Sequence, residues 1–160
     1  MKTLLLLLVL GILVFGCSAL APPVDVFSTP QPEHAASPAL FMPKSINGIA
    51  ADEAQITKTG GVVDGLDAVY GDTVEIQVVR ADSPDTVQHF IEAQKEIVAN
   101  ETGYITVISS APGKTWFTFE GSRSTGIIWQ RGEWSFQVEV VGKDPKLRNE
   151  VIKQMLELQK

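Results

Sequence analysis

Few residues in this chain combine the types and spacing that chemistry requires. His34 and His89 are the only histidines; neither belongs to an HExxH pair or a two-histidine-one-carboxylate set, so no zinc or iron site is expected. Ala111-Pro112-Gly113-Lys114-Thr115 ends like a phosphate-binding loop. The position that needs the earlier glycine holds Ile108, and the segment is expected between strands, without the helix N-terminus that would hold phosphate. Gly121-Ser122-Arg123-Ser124-Thr125-Gly126 lacks the order of a nucleophile elbow and leads into a strand where that motif needs a helix. Asp64, Asp67 and Asp72 offer oxygens but no twelve-residue calcium loop closed by a glutamate. Asn100-Glu101-Thr102 matches the N-x-T glycosylation acceptor. Glu75, Glu120, Glu133 and Glu139 alternate onto the polar side of strands, and no two of them form a recognisable acid and base. No catalytic residue, metal or cofactor is expected, and the domain reads as non-catalytic. Cys17 is the only cysteine, so no disulfide can form within the chain.

Aromatic residues are the other concentration of chemical potential. Tyr104, Trp116, Phe117, Phe119, Trp129, Trp134 and Phe136 crowd into one part of the chain, where core packing is the default reading. Trp116 and Phe117 are adjacent, so on a strand they point to opposite faces. If Trp116 and Trp129 lie exposed beside Arg123 or Arg131, they form a surface for a protein partner or a flat ligand.

These residues are carried by a series of short elements. A hairpin is expected from Leu66–Tyr70 through Gly71-Asp72 into Thr73–Val79, with Val74, Ile76 and Val78 on one face. Ser83-Pro84-Asp85 supplies an N-cap, a first-turn proline and an acid for a helix running to about Ala99, with Val87, Phe90, Ile91 and Val98 as its apolar stripe. Strands follow over 104–109, 115–120, 125–130 and 134–141. The turn at Arg131-Gly132 sets either Trp129 or Ile128 opposite Trp134, depending on loop length. Asp144 and Pro145 open a last helix striped by Leu147, Val151, Ile152, Met155 and Leu156. The order β-β-α-β-β-β-β-α predicts an α+β two-layer sandwich, an antiparallel sheet of about five or six strands with both helices packed on one face.

Upstream, Ser18 to Lys44 holds six of the nine prolines, at 22, 23, 30, 32, 38 and 43. Prolines at this density remove donors and keep their predecessors extended, so residues 17–44 are expected to form a tether. A flexible coil of that length spans on the order of 30 Å and a polyproline-like one up to about 80 Å. Val24, Val26, Phe27, Leu40, Phe41 and Met42 either offer short partner motifs or dock on their own domain. The folded part is then a single domain over 45–160.

The first residues set the location. Lys2 is followed by an uninterrupted apolar run from Leu4 to Phe15, shorter than the roughly 20 residues a spanning helix needs, and therefore a secretory signal. Val14-Phe15-Gly16-Cys17 resembles the lipobox of prokaryotic lipoproteins. The resemblance implies cleavage after residue 16 and a diacylglyceryl thioether on Cys17, often with a further acyl chain on its amine. Two other outcomes stay open: an uncleaved signal anchor, or a plain secretory signal cut near Ala19-Leu20-Ala21. Tyr70-Gly71, Ser83-Pro84 and Gly132–Val138 resemble small uncharacterised domains of exported bacterial and archaeal proteins, which implies no activity.

Charge agrees with an exported passenger. The chain carries a net charge of −6, and removal of Lys2 with the signal brings it to −7. Such a surface excludes nucleic-acid binding by counterion displacement and adhesion to anionic lipid by charge alone. The expected protein is extracytoplasmic, held to the membrane by lipid on Cys17, and presents a binding or accessory domain to an envelope partner. The alternatives are a structural, self-associating subunit or an enzyme with an unrecognised site.

Overall fold

The structure, a computed structural model, describes residues 24–102, 105–109, 114–121 and 123–160. The expected signal and lipobox-like motif with Cys17, together with Tyr104 and the turn expected at 111–113, lie outside these residues. Among the described residues nine strands and two α-helices follow one another: β1 (Ser45–Ile46), β2 (Ile49–Ala50), β3 (Asp52–Gln55), β4 (Val62–Tyr70), β5 (Val74–Ala81), α1 (Pro84–Thr102), β6 (Ile105–Ser109), β7 (Trp116–Glu120), β8 (Ser124–Arg131), β9 (Trp134–Val141) and α2 (Pro145–Glu157). β1 and β2 form a small ladder across Asn47-Gly48, whose positive φ values of 51° and 78° suit a tight turn.

The protein is α+β, with an open antiparallel sheet ordered β3-β4-β5-β9-β8-β7-β6. All six strands expected from the sequence are present, and the short exposed strand β3 extends the sheet to seven. α1 runs three residues past its expected end, so Asn100 and Thr102 lie within the helix and not after it. Asp144 caps α2 as expected, accepting from the backbone N–H groups of Lys146 and Leu147 at 3.0 Å each.

Two hairpin registers differ from expectation. The turn between β4 and β5 takes three residues, because Tyr70 pairs with Val74; the Thr73 hydroxyl donates to Tyr70 O and Thr73 O accepts from Val141 N–H, which holds the extra residue in place. Between β8 and β9 the loop is Gly132-Glu133, so Trp134 faces Arg131 and Trp129 faces Phe136. Gly132 at φ +60° is the first of two loop positions, where a type II′ turn wants positive φ.

The helices lie on opposite faces of the sheet, which corrects the expectation that both pack on one. Leu66, Ala68, Val74, Ile76, Val78, Ile127, Trp129, Phe136 and Val138 join Val151, Ile152 and Met155 of α2 in one core. Phe117, Phe119 and Ile128 project the other way and pack with Val87, Ile91 and Val98 of α1. The reason is local. Ile127-Ile128-Trp129 and Trp116-Phe117 place large apolar groups on both sides of neighbouring strands, and each side needs its own cover.

The first core has a second cover. Residues 24–42 lie across it as a strap, with Val26, Phe41 and Met42 buried among the sheet residues. Phe41 meets Trp134 and Phe136 edge to face, at centroid distances of 5.1 and 5.7 Å. The folded part therefore begins before residue 45, and residues 24–42 of the expected tether belong to it. Among the described residues both cores lie between Val26 and Leu156.

The strap's far end is pinned by Tyr70, whose buried hydroxyl donates to Pro43 O at 2.6 Å. Burial, with a smaller contribution from Glu53, pushes the phenol up to about 12. The native state then keeps its proton where the unfolded chain loses it, so this stability is full below pH 10 and is lost as pH rises through 12. Tyr70→Phe is expected to cost about 1–2 kcal/mol at pH 7 and to flatten the fall in stability between pH 10 and 12. Urea titrations of both proteins across that range check it.

Candidate functional site

The residues singled out in the sequence do not come together. Trp116 and Trp129 sit opposite one another on β7 and β8, but they are 3 % and 0 % exposed, and Arg131 is 6 % exposed; Arg123 alone remains on the surface. They do not form the expected partner surface. α2 and the strap cover this face, and the strap's own polar groups occupy the Arg131 guanidinium. It donates to Val26 O at 2.8 Å, to Thr29 Oγ1 at 3.3 Å and to Thr29 O. Burial lowers its pKa, against a smaller opposing effect of Asp25.

His89 lies exposed on α1, and His34 pairs through Nδ1 with Glu133 Oε1 at 2.6 Å. Among the described residues no group of three or more His, Cys, Asp or Glu is placed to hold a metal ion, so Asp64, Asp67 and Asp72 do not gather. Cys17 lies outside the described residues.

Acidic side chains do meet on the α1 side of the sheet, at its uncovered end. Glu75 pairs across strands with Glu139, and Asp67 with Gln77 one row away. Partial burial first, then repulsion from Asp67 and Glu139, raises the Glu75 pKa; burial raises that of Asp67. A raised carboxyl holds its proton better in the folded state, so its contribution to stability falls as pH climbs above the ordinary carboxylate range. Glu75→Gln is therefore expected to melt about 2 °C higher than the parent at pH 7 and to lose that advantage near pH 4, as calorimetry over pH 4–8 would record.

A cavity of about 510 Å³ opens on the same side of the sheet, between the first half of α1 and the segment 56–62. Its apolar walls are Ile56, Val62, Val79, Ala81, Val87 and Phe90. Thr57, Thr59, Thr86 and Ser135 contribute hydroxyls, and His89 stands at the rim. The size is within the range of small-molecule sites.

Several local features hold the cavity open. Asp82 N–H donates to Gly61 O at 2.9 Å and Ile56 N–H to Gly65 O at 3.0 Å, which ties both ends of the segment to the sheet. Gly65 leaves room for Ile56, since a Cβ there would stand 2.9 Å from Ile56 Cβ. Ser83 caps α1 by accepting from Thr86 N–H at 3.2 Å, and the Thr86 hydroxyl donates to Asp82 Oδ1 at 2.6 Å. The Gln130 amide donates to Pro84 O and to Gly132 O, both at 2.8 Å, which joins the start of α1 to the β8–β9 hairpin.

Ser135 is 2 % exposed, lines this cavity, and its hydroxyl makes no hydrogen bond among the described residues. Sequence reasoning missed this site because its walls come from one loop, three strands and a helix. The only legible signal was the Ser83-Pro84 helix start.

No family model matches the chain, and no curated protein matches it. A GTP-binding regulator from Thermotoga maritima is similar in structure, with a TM-score of 0.56 and 17 % identity over 81 % of this chain and 91 % of that one. The extracellular domain of PknH from Mycobacterium tuberculosis is more distant, with a TM-score of 0.40 and 14 % identity over 71 % and 79 % of the two chains. The first likeness is one of fold.

Proposed function

We propose that the chain is a membrane-anchored lipoprotein, held at the extracytoplasmic side by lipid on Cys17, whose domain serves as a non-catalytic binding or accessory module of the cell envelope. The observation that carries this reading is the sequence Val14-Phe15-Gly16-Cys17 closing an apolar run too short to span a bilayer. Two or more acyl chains, at ~0.8 kcal/mol per buried CH₂, would hold the protein on the membrane stably.

The strap adds a geometric consequence. The chain from Cys17 to Val24 extends at most about 25 Å. Val24 packs beside the end of α2, near Lys153, Leu156 and Lys160. An anchored domain would therefore keep this end near the bilayer, instead of swinging on the longer tether that the prolines suggest.

Metabolic labelling with a clickable fatty acid tests the anchor. The parent is expected to incorporate label and partition with membranes, whereas Cys17→Ala does neither. Label retained in Cys17→Ala would overturn the reading.

A further inference from the structure

We propose that the cavity between α1 and the segment 56–62 is a binding site for an uncharged, mainly apolar small molecule that carries one hydroxyl, aryl amine or carbonyl group. The inference rests on reading the domain as a binding module and not on its anchor.

Charge narrows the ligand first. The lining contains no Lys, Arg, Asp or Glu, and its one ionisable residue, His89, is exposed at the rim. A charged group entering these walls would lose its hydration without finding a counter-ion, which is costly. The start of α1 offers an anion little, because Asp82 and Asp85 already flank it and Ser83 caps the Thr86 N–H.

Polarity then requires more than a hydrocarbon. Ser135 presents an unpartnered hydroxyl at the sheet floor of the cavity, with a side chain more than nine-tenths buried. A hydroxyl is both donor and acceptor, so a single N–H, O–H or C=O on the ligand would satisfy it. The remaining ligand surface meets Ile56, Val79, Val87 and Phe90. A cavity with apolar walls and a few convergent polar groups is the usual form of a small-molecule site.

The test uses the chain from Ser18 to Lys160, which contains both cores and no lipidated cysteine, in detergent-free buffer. The probe is N-phenyl-1-naphthylamine, a neutral aromatic with one N–H, compared with 8-anilinonaphthalene-1-sulfonate, the same frame bearing an anion. The neutral dye is expected to show one saturable fluorescence transition and to bind at least about ten-fold tighter than the sulfonate. Thr57→Trp, which places an indole at the mouth from an exposed position, should abolish binding. Ser135→Ala should weaken it about five-fold, the net worth of one hydrogen bond. Melting curves confirm that both variants fold, and Thr59→Trp replaces Thr57→Trp if that variant does not. Absence of saturable binding, equal binding of the two dyes, or saturable binding that neither variant weakens overturns the proposal. Because no step involves Cys17, failure here leaves the labelling result standing, and the reverse also holds.

Discussion

Arg131→Ala is expected to lower stability by about 3 kcal/mol and the melting temperature by about 6–12 °C, with accelerated hydrogen exchange confined at first to residues 26–30. The guanidinium donates to the carbonyls of Val26 and Thr29 and to the Thr29 hydroxyl, which itself donates to Gln159 Oε1 at 3.0 Å, and it also stands over the Phe27 ring at 5.8 Å. Removing it leaves buried acceptors without a donor, and hydrogen bonds to a charged group are worth about 1.5–3 kcal/mol each. Arg131→Lys should recover little, since an ammonium cannot reach three acceptors arranged for a planar fork. Exchange mass spectrometry combined with calorimetry reads both effects. A loss below about 1 kcal/mol, with unchanged exchange at 26–30, would show that the strap is held by its apolar side chains alone.

Gly126→Ala should destabilise by about 2–3 kcal/mol although it adds a single methyl group. Gly126 lies directly opposite Phe119 on β7, and the phenyl ring rests where a side chain would begin. A Cβ would stand 2.1 Å from Phe119 Cζ and 2.8 Å from Val138 O. The ring can rotate away only by giving up its place in the core beneath α1, and the carbonyl belongs to β9 and cannot move alone. Phe119→Leu in the same chain should recover part of the loss, so that the two substitutions are not additive in denaturant titrations. Full additivity would mean that the backbone clash with Val138 dominates.

The two predictions concern opposite faces of one sheet, and they also divide what was legible. The hairpin strands announced themselves by alternation: Val74, Ile76 and Val78, then Trp134, Phe136, Val138 and Val140, are buried on a common side as their spacing requires. The helix starts were equally plain, because Ser83-Pro84 and Asp144-Pro145 satisfy the first-turn N–H groups from within a few residues. Registers were less legible. The β8–β9 turn lies one residue later than expected, and the β4–β5 turn is one residue longer, where Val141 N–H rewards the extra Thr73 only once β9 lies beside β5.

The candidate site was legible only in its helix cap. Ser135 alternates with the buried Trp134 and Phe136, and Thr57 and Thr59 belong to no periodic run; nothing local says that α1 stands off the sheet at that point and leaves a cavity. The Trp116–Trp129 pair shows the converse, since a surface inferred from residue types became core when strap and helix closed over it.

By itself the sequence determined the six long strands and both helices, their apolar faces and the α+β class, because each depends on periodicity or on residues within a few positions of one another. Only the tertiary structure decided which element covers which face. An apolar stripe states that a face must be buried but not by what, and a seven-stranded sheet with large groups on both sides admits several covers. Here α1 took one face, leaving the cavity at its edge, and α2 shared the other with a proline-rich strap whose isolated Val26, Phe41 and Met42 carry no periodic signal.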